Sequence, residues 1–118
     1  GTGGIDNVGN GKGLYHSVNV PLKEGLGEKT LAEVFDQVIQ KAFSTYQPDA
    51  VVLQCGSDGL VGDPTGEWNL TIESIGACVA KILDLDKPTL ILGGGKFCIW
   101  SHSDVSFDLP GILSHRWL

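Results

Sequence analysis

The stretch that decides the fold is residues 50–55, AVVLQC, which runs straight into the glycine-bearing loop 56–68, GSDGLVGDPTGEW. A short run without polar alternation is the form of a strand covered on both faces in a parallel sheet. A second such run, Pro88 to Leu92 (PTLIL), opens directly into Gly93-Gly94-Gly95. Between them, Thr71 to about Leu85 places Ile72, Ile75, Val79 and Ile82 or Leu83 on one helical stripe, with Thr71 at the N-cap.

Working outward, Leu31, Val34, Phe35, Val38, Ile39, Ala42, Phe43 and Tyr46 recur at helical spacing and share one core-facing face. Thr30 with Glu33 is a capping-box signature for the start, although the helix can begin a few residues earlier. Gln47-Pro48-Asp49 ends it. Further back, Leu14 to Val20 (LYHSVNV) is rich in β-formers and closed by Pro21, which predicts a strand. Residues 1–13, GTGGIDNVGNGKG, hold six glycines and predict a loop with several turns at positive φ. Strand, helix, strand, helix, strand is the pattern of right-handed crossovers and a parallel α/β sheet. Ligands bind such sheets at the carboxyl ends of the strands, where the loops after AVVLQC and TLIL both open. Residues 96–118 show no clear period.

The whole sequence is 118 residues, 42% hydrophobic and 19% charged, which suits one soluble globular domain. No apolar run approaches the ~20 residues of a membrane span, and no charged-then-apolar leader opens the chain. An intracellular protein is the expectation. A formal net charge of −6 argues against nucleic-acid binding through a basic surface. Cys55, Cys78 and Cys98 are too few and too scattered for a disulfide framework or a CxxC metal site, so they read as buried thiols. Seventeen glycines are about twice the usual share of ~7%, and Met is absent. The chain is therefore expected to be a fragment.

Asp58 is the first candidate for chemistry. It lies three residues beyond the end of AVVLQC among the small residues Gly56, Ser57 and Gly59, where a metal or substrate could approach the backbone closely. From spacing alone, Asp58 as a turn cap is the stronger reading. Asp63-Pro64 in the same loop reads as turn chemistry. Gly93-Gly94-Gly95 offers backbone N–H groups to an anion, or simply permits a tight turn. No GxGxxG or GxxxxGK[ST] pattern fits, so a nucleotide site is not expected. His16, His102 and His115 are too scattered for a helical metal pair, and His16 reads as a packed or hydrogen-bonded histidine within the first strand. Asn69-Leu70-Thr71 matches a glycosylation sequon without a secretory context.

Three blocks, 1–22 (GTGGIDNVGNGKGLYHSVNVPL), 48–71 (PDAVVLQCGSDGLVGDPTGEWNLT) and 88–95 (PTLILGGG), occur in an order and spacing that resemble the second half of the zinc-dependent histone deacetylase catalytic domain, class I most of all. The resemblance covers Gly1 to Gly95 and implies an α/β fold with a three-layer parallel sheet of arginase/deacetylase type, present as a partial domain. It also implies zinc-dependent hydrolysis of N-acetyl-lysine. In the family zinc is held by two aspartates and a histidine, and Asp58 falls at one of those aspartates. Zinc polarises the acetyl carbonyl and activates water, assisted by a histidine pair. Thr65 falls at the pocket rim, and Gly94 and Gly95 fall in the glycine run that walls the acetyl-lysine channel. His16 falls where a backbone carbonyl helps hold a structural potassium ion.

The departures from the family carry consequences. Its other aspartate ligand, histidine ligand and histidine pair belong to the preceding half. One carboxylate does not hold catalytic zinc, so the fragment alone is expected to be inactive. Lys96 and Phe97 stand where the family has a further glycine and a tyrosine, and Phe cannot donate that tyrosine's hydrogen bond to the oxyanion. Residues 96–118 accordingly read as a non-matching tail after a gene-model or splice break, and no catalytic residue is assigned. The implied partners are acetylated histone tails or other acetyl-lysine proteins and a corepressor complex, in the nucleus and also the cytoplasm. Direct binding to nucleic acid or membrane is not expected. The alternatives are a deacetylase of acetylated polyamines in the same fold, or a non-catalytic scaffold module.

Overall fold

In the computed structural model of the chain, residues 3–64 and 66–94 are described. Thr65, Gly95, Lys96 and Phe97 lie outside them. The elements are α1 (Glu28–Tyr46), β1 (Val51–Gly56), α2 (Ile72–Leu83) and β2 (Thr89–Gly94), with 3-10 turns at Gly11–Gly13 and Ser57–Gly59. β1 and β2 pair in parallel, from Val51 opposite Thr89 to Gly56 opposite Gly94. The α/β class and the parallel pairing read from the two apolar runs are borne out.

α2 forms where its stripe and cap place it. The Thr71 hydroxyl accepts from the Ser74 N–H at 3.2 Å, and Ser74 Oγ accepts in return from the Thr71 N–H at 3.1 Å. This reciprocal capping box satisfies two donors that a helix start leaves orphaned. Val79 and Ile82 on the inner stripe are each 1% exposed and, with Leu26 and Leu70, form the buried apolar core among the described residues.

α1 starts two residues earlier than Thr30, and the capping box expected from Thr30 and Glu33 does not form. Gly27 is the N-cap without a side-chain bond, and Thr30 already lies inside the helix. Glu28 places an acid at the positive end of the helix dipole, and its carboxylate accepts from the Thr71 hydroxyl, tying the two helix starts together. At the other end Gln47 turns left-handed at φ 52, its N–H donating to Phe43 O at 3.0 Å, immediately before Pro48. A salt bridge from Lys81 Nζ to Asp36 Oδ1 at 2.5 Å links α2 to α1.

Leu53 and Cys55 of β1 share a cavity of about 390 Å³ with Leu31 and Phe35 of α1 and Ile75 and Cys78 of α2. Both helices thus serve the same side of β1. Consequently the strands are not covered on both faces, contrary to the expectation from their apolar runs: Val52 is 67% and Leu90 56% exposed. An apolar run records what a strand would bury, whereas burial requires a layer on each face. Among the described residues only one face of β1 has one.

The strand expected at Leu14–Val20 is also absent. Tyr15 sits at φ 65, which breaks an extended run, and the sheet of the described residues contains only β1 and β2. β-Propensity reports fitness for a pleated surface and needs a partner row to act. Here the segment is held by side chains instead, with Asn19 Nδ2 donating to Asn7 O at 2.8 Å. The glycine-rich loop before it does turn at positive φ, at Gly3, Gly9 and Gly11. At Gly9 a Cβ would meet Gly13 O at 2.1 Å, so this glycine is required for both space and conformation.

Candidate functional site

The carboxyl ends of β1 and β2 finish side by side, with Gly56 opposite Gly94. Beyond Gly56 the chain folds at once into the Ser57–Gly59 turn, closed by the Leu60 N–H donating to Ser57 O at 3.1 Å. Ser57 Oγ donates across the strand ends to Gly94 O at 3.4 Å. Asp58, at the centre of the turn, is exposed, and its carboxylate folds back over Gly56. The parallel pairing thus brings Asp58 and Gly94, two of the residues read from the sequence, to one edge. Thr65, Gly95 and Phe97 are outside the described residues.

The turn is anchored from below. Leu60 and Leu70 form a bridge in which the Val61 N–H donates to Leu70 O at 2.9 Å and the Leu70 N–H to Gly59 O at 3.2 Å. A Cβ on Gly59 would lie 2.9 Å from Trp68 Cε3, so the turn rests directly on the indole. The Asp63 N–H donates to Leu60 O at 3.1 Å, and Asp63 itself is only 4% exposed. The loop's three carboxylates therefore differ: Asp58 and Glu67 are exposed and both line the cavity beside β1, whereas Asp63 is buried inside the loop.

His16 lies elsewhere. Its N–H donates to Gly13 O at 3.1 Å, and Nδ1 is 3.0 Å from Leu14 O. It borders a groove of about 980 Å³ against Val38, Phe43 and Tyr46 of α1, which shares no lining residue with the cavity of about 390 Å³ beside β1, the one that Asp58 lines. It is hydrogen-bonded but not in a strand, a correction that follows from the missing strand at 14–20.

Cys55 and Cys78 are free thiols on the inner side of the Asp58 cavity, half-buried rather than fully buried. Burial pushes the Cys55 thiol up. Burial also raises Cys78, with Lys81 opposing and the negative charges of Cys55 and Asp36 adding to the rise. Neither thiol has the electropositive, open setting of a reactive cysteine.

Among the described residues no three His, Cys, Asp or Glu side chains gather into a metal-ligating group. Asp58 suits a divalent zinc ion as one exposed, hard oxygen donor. A catalytic zinc takes three protein ligands, and among the described residues no such set is gathered around Asp58.

A family model described as "Histone deacetylase domain" matches residues 1–105. The chain belongs to this family. Histone deacetylase 8 of Xenopus laevis is 44% identical over 97 residues, which cover 82% of this chain and 30% of that protein. Histone deacetylase 7 of Arabidopsis thaliana is 45% identical over 98 residues, 83% of this chain and 24% of the relative. Histone deacetylase 1 of Homo sapiens is 44% identical over 99 residues, 84% of this chain and 20% of the relative. The chain thus spans between a fifth and a third of the length of these relatives. The class I-like resemblance and the arginase/deacetylase-type α/β fold are borne out, and the family match extends past Gly95.

Sequence reasoning reached Asp58 and Gly94 through the rule that sites gather at strand ends. It missed the Ser57 link to Gly94 and the seat provided by Trp68. A serine directly after a strand-ending glycine and an aromatic at the end of the same loop were the available signals.

Proposed function

We propose that this histone deacetylase-family chain forms one wall of the active site of a zinc-dependent protein lysine deacetylase, whose full-length form hydrolyses N-acetyl-lysine. The observation that carries this reading is the exposed Asp58 carboxylate at the paired glycine ends of two parallel strands, in a chain 44% identical over 97 and 99 residues to two animal histone deacetylases. Asp58 is the zinc ligand from this chain. When bound, the ion supplies polarisation of the acetyl carbonyl and activation of water.

The chain's own residues do three things in this reading. Asp58 presents a fixed oxygen donor. By their places in the family pattern, Gly94 and Gly95 are the glycines that keep a narrow channel free of side chains, and Thr65 is its rim residue. The backbone carbonyl of His16 helps hold a potassium ion. Phe97, at the place of the family's oxyanion-steadying tyrosine, cannot donate that hydrogen bond. With Asp58 as the single zinc ligand among the described residues, the 118-residue chain by itself is inactive. The substrates of the full-length form are acetylated histone tails or other acetyl-lysine proteins, encountered in the nucleus and also the cytoplasm, within a corepressor complex.

The test is acetate release from an acetyl-lysine peptide and from an acetylated polyamine. The full-length form should turn over the peptide faster, and the purified 118-residue chain neither. Preference for the polyamine would move the reading to a small-molecule deacetylase. Zinc-dependent turnover by the 118-residue chain would contradict it.

A further inference from the structure

The glycines of the site are small for different reasons, and one of them points at Asp58. At Gly59 the neighbours of an added Cβ are Trp68 Cε3 at 2.9 Å and Leu70 Cδ1 at 3.2 Å, a packing requirement. At Gly56 neither conformation nor packing demands glycine. Its backbone, at φ −72 and ψ 144, is open to any L-residue. An added Cβ would meet Gly94 C at 3.7 Å and Asp58 Cγ at 3.6 Å, both ordinary contacts. One atom stands in the way, Asp58 Oδ1 at 2.5 Å.

We propose that Gly56 is a positioning residue for Asp58: the missing side chain at the end of β1 leaves the space into which the Asp58 carboxylate folds, and so selects its rotamer. This rests on the reading of Asp58 as the chain's metal ligand, and assigns the orientation of that ligand to the residue two positions before it. A Cβ at Gly56 forces the carboxylate to swing out of this space. The obstructing atom is the far end of a side chain, so the backbone of β1 and the Ser57–Gly59 turn stay in place. Gly56→Ala is then a substitution that the fold tolerates and the ligand geometry does not.

The experiment compares the Asp58 side-chain torsions χ1 and χ2 in crystal structures of the 118-residue chain, wild type against Gly56→Ala, alongside thermal melting, because the clash lies at Oδ1 and either torsion can relieve it. The expected result is a changed rotamer with a melting temperature that is unchanged or higher. An unchanged rotamer overturns the proposal, and so does a lower melting temperature with the rotamer intact, which would make Gly56 a packing residue. In the zinc-loaded full-length form, competition with a chelator should show zinc affinity falling about 10- to 100-fold in Gly56→Ala, the range for residues that orient metal ligands. Wild-type affinity there would also overturn it. If Asp58→Asn retains zinc as tightly as wild type, the reading of Asp58 as a ligand fails, while the rotamer measurement still judges Gly56 separately.

Discussion

Cys55 and Cys78 show what partial burial does to a single group. Both thiols are pushed up, Cys55 by burial and Cys78 by burial first, despite Lys81. A thiol whose pKa is higher folded than unfolded keeps its proton longer in the native state, so the native state binds more protons at high pH. Its stabilising effect is complete below the unfolded value of 9.0 and is lost as pH rises above it. Stability should therefore fall as pH rises above about 9, and less so in Cys55→Ser. Iodoacetamide labelling at pH 8, resolved by residue, should be slower at Cys55 and Cys78 in the native chain than in urea; equal rates would contradict the burial. At the core, Ile82 is 1% exposed, and Ile82→Ala should cost about 2–5 kcal/mol by urea denaturation. Val52→Ala on the open face should stay within about 0.5 kcal/mol, since the side chain it shortens is 67% exposed.

Elements differ in how far their own residues determine them. α2 carries its start signal locally, in the Thr71 and Ser74 capping box. Thr71→Ala should cost about 1 kcal/mol for the cap, with a further loss because the hydroxyl also reaches Glu28 of α1. Thr71→Ser, which retains the hydroxyl, should recover most of it in the same denaturation experiment. The Lys81–Asp36 bridge joins side chains that are 39% and 44% exposed, so Lys81→Ala should cost less than about 1 kcal/mol, and less still at high salt. Both helices and both strands were legible from spacing alone, because hydrophobic period is a local property. The start of α1 was not, since the capping box expected at Thr30 does not form and the helix begins at Glu28, whose carboxylate accepts a tertiary hydrogen bond from Thr71. The strand at 14–20 failed for a related reason: its residues favour a sheet, and the sheet row they would join is not among the described residues. At the site, Asp58 and Gly94 were legible because two parallel strands in register must end together. The role of Gly56 was not, because the distance from a glycine to a carboxylate is a property of the folded turn.

For the whole molecule, the packing of the two helices on the sheet sets which face of the strands the described residues cover. α1 and α2 serve one side of β1, and the opposite side exposes Val52 and Leu90. Apolar strand faces of this kind suit a sheet with layers on both sides, as the arginase/deacetylase-type fold has. The chain spans between a fifth and a third of the length of its relatives, and the described residues bring the exposed Asp58 carboxylate to the strand ends. The central claim is that Asp58 at this edge is a ligand of the deacetylase centre. The most direct measurement is acetate release from an acetyl-lysine peptide by the full-length form, wild type against Asp58→Asn, with zinc content measured on the same samples. Asp58→Asn should lose both bound zinc and turnover while remaining folded; wild-type turnover with zinc retained would contradict the assignment.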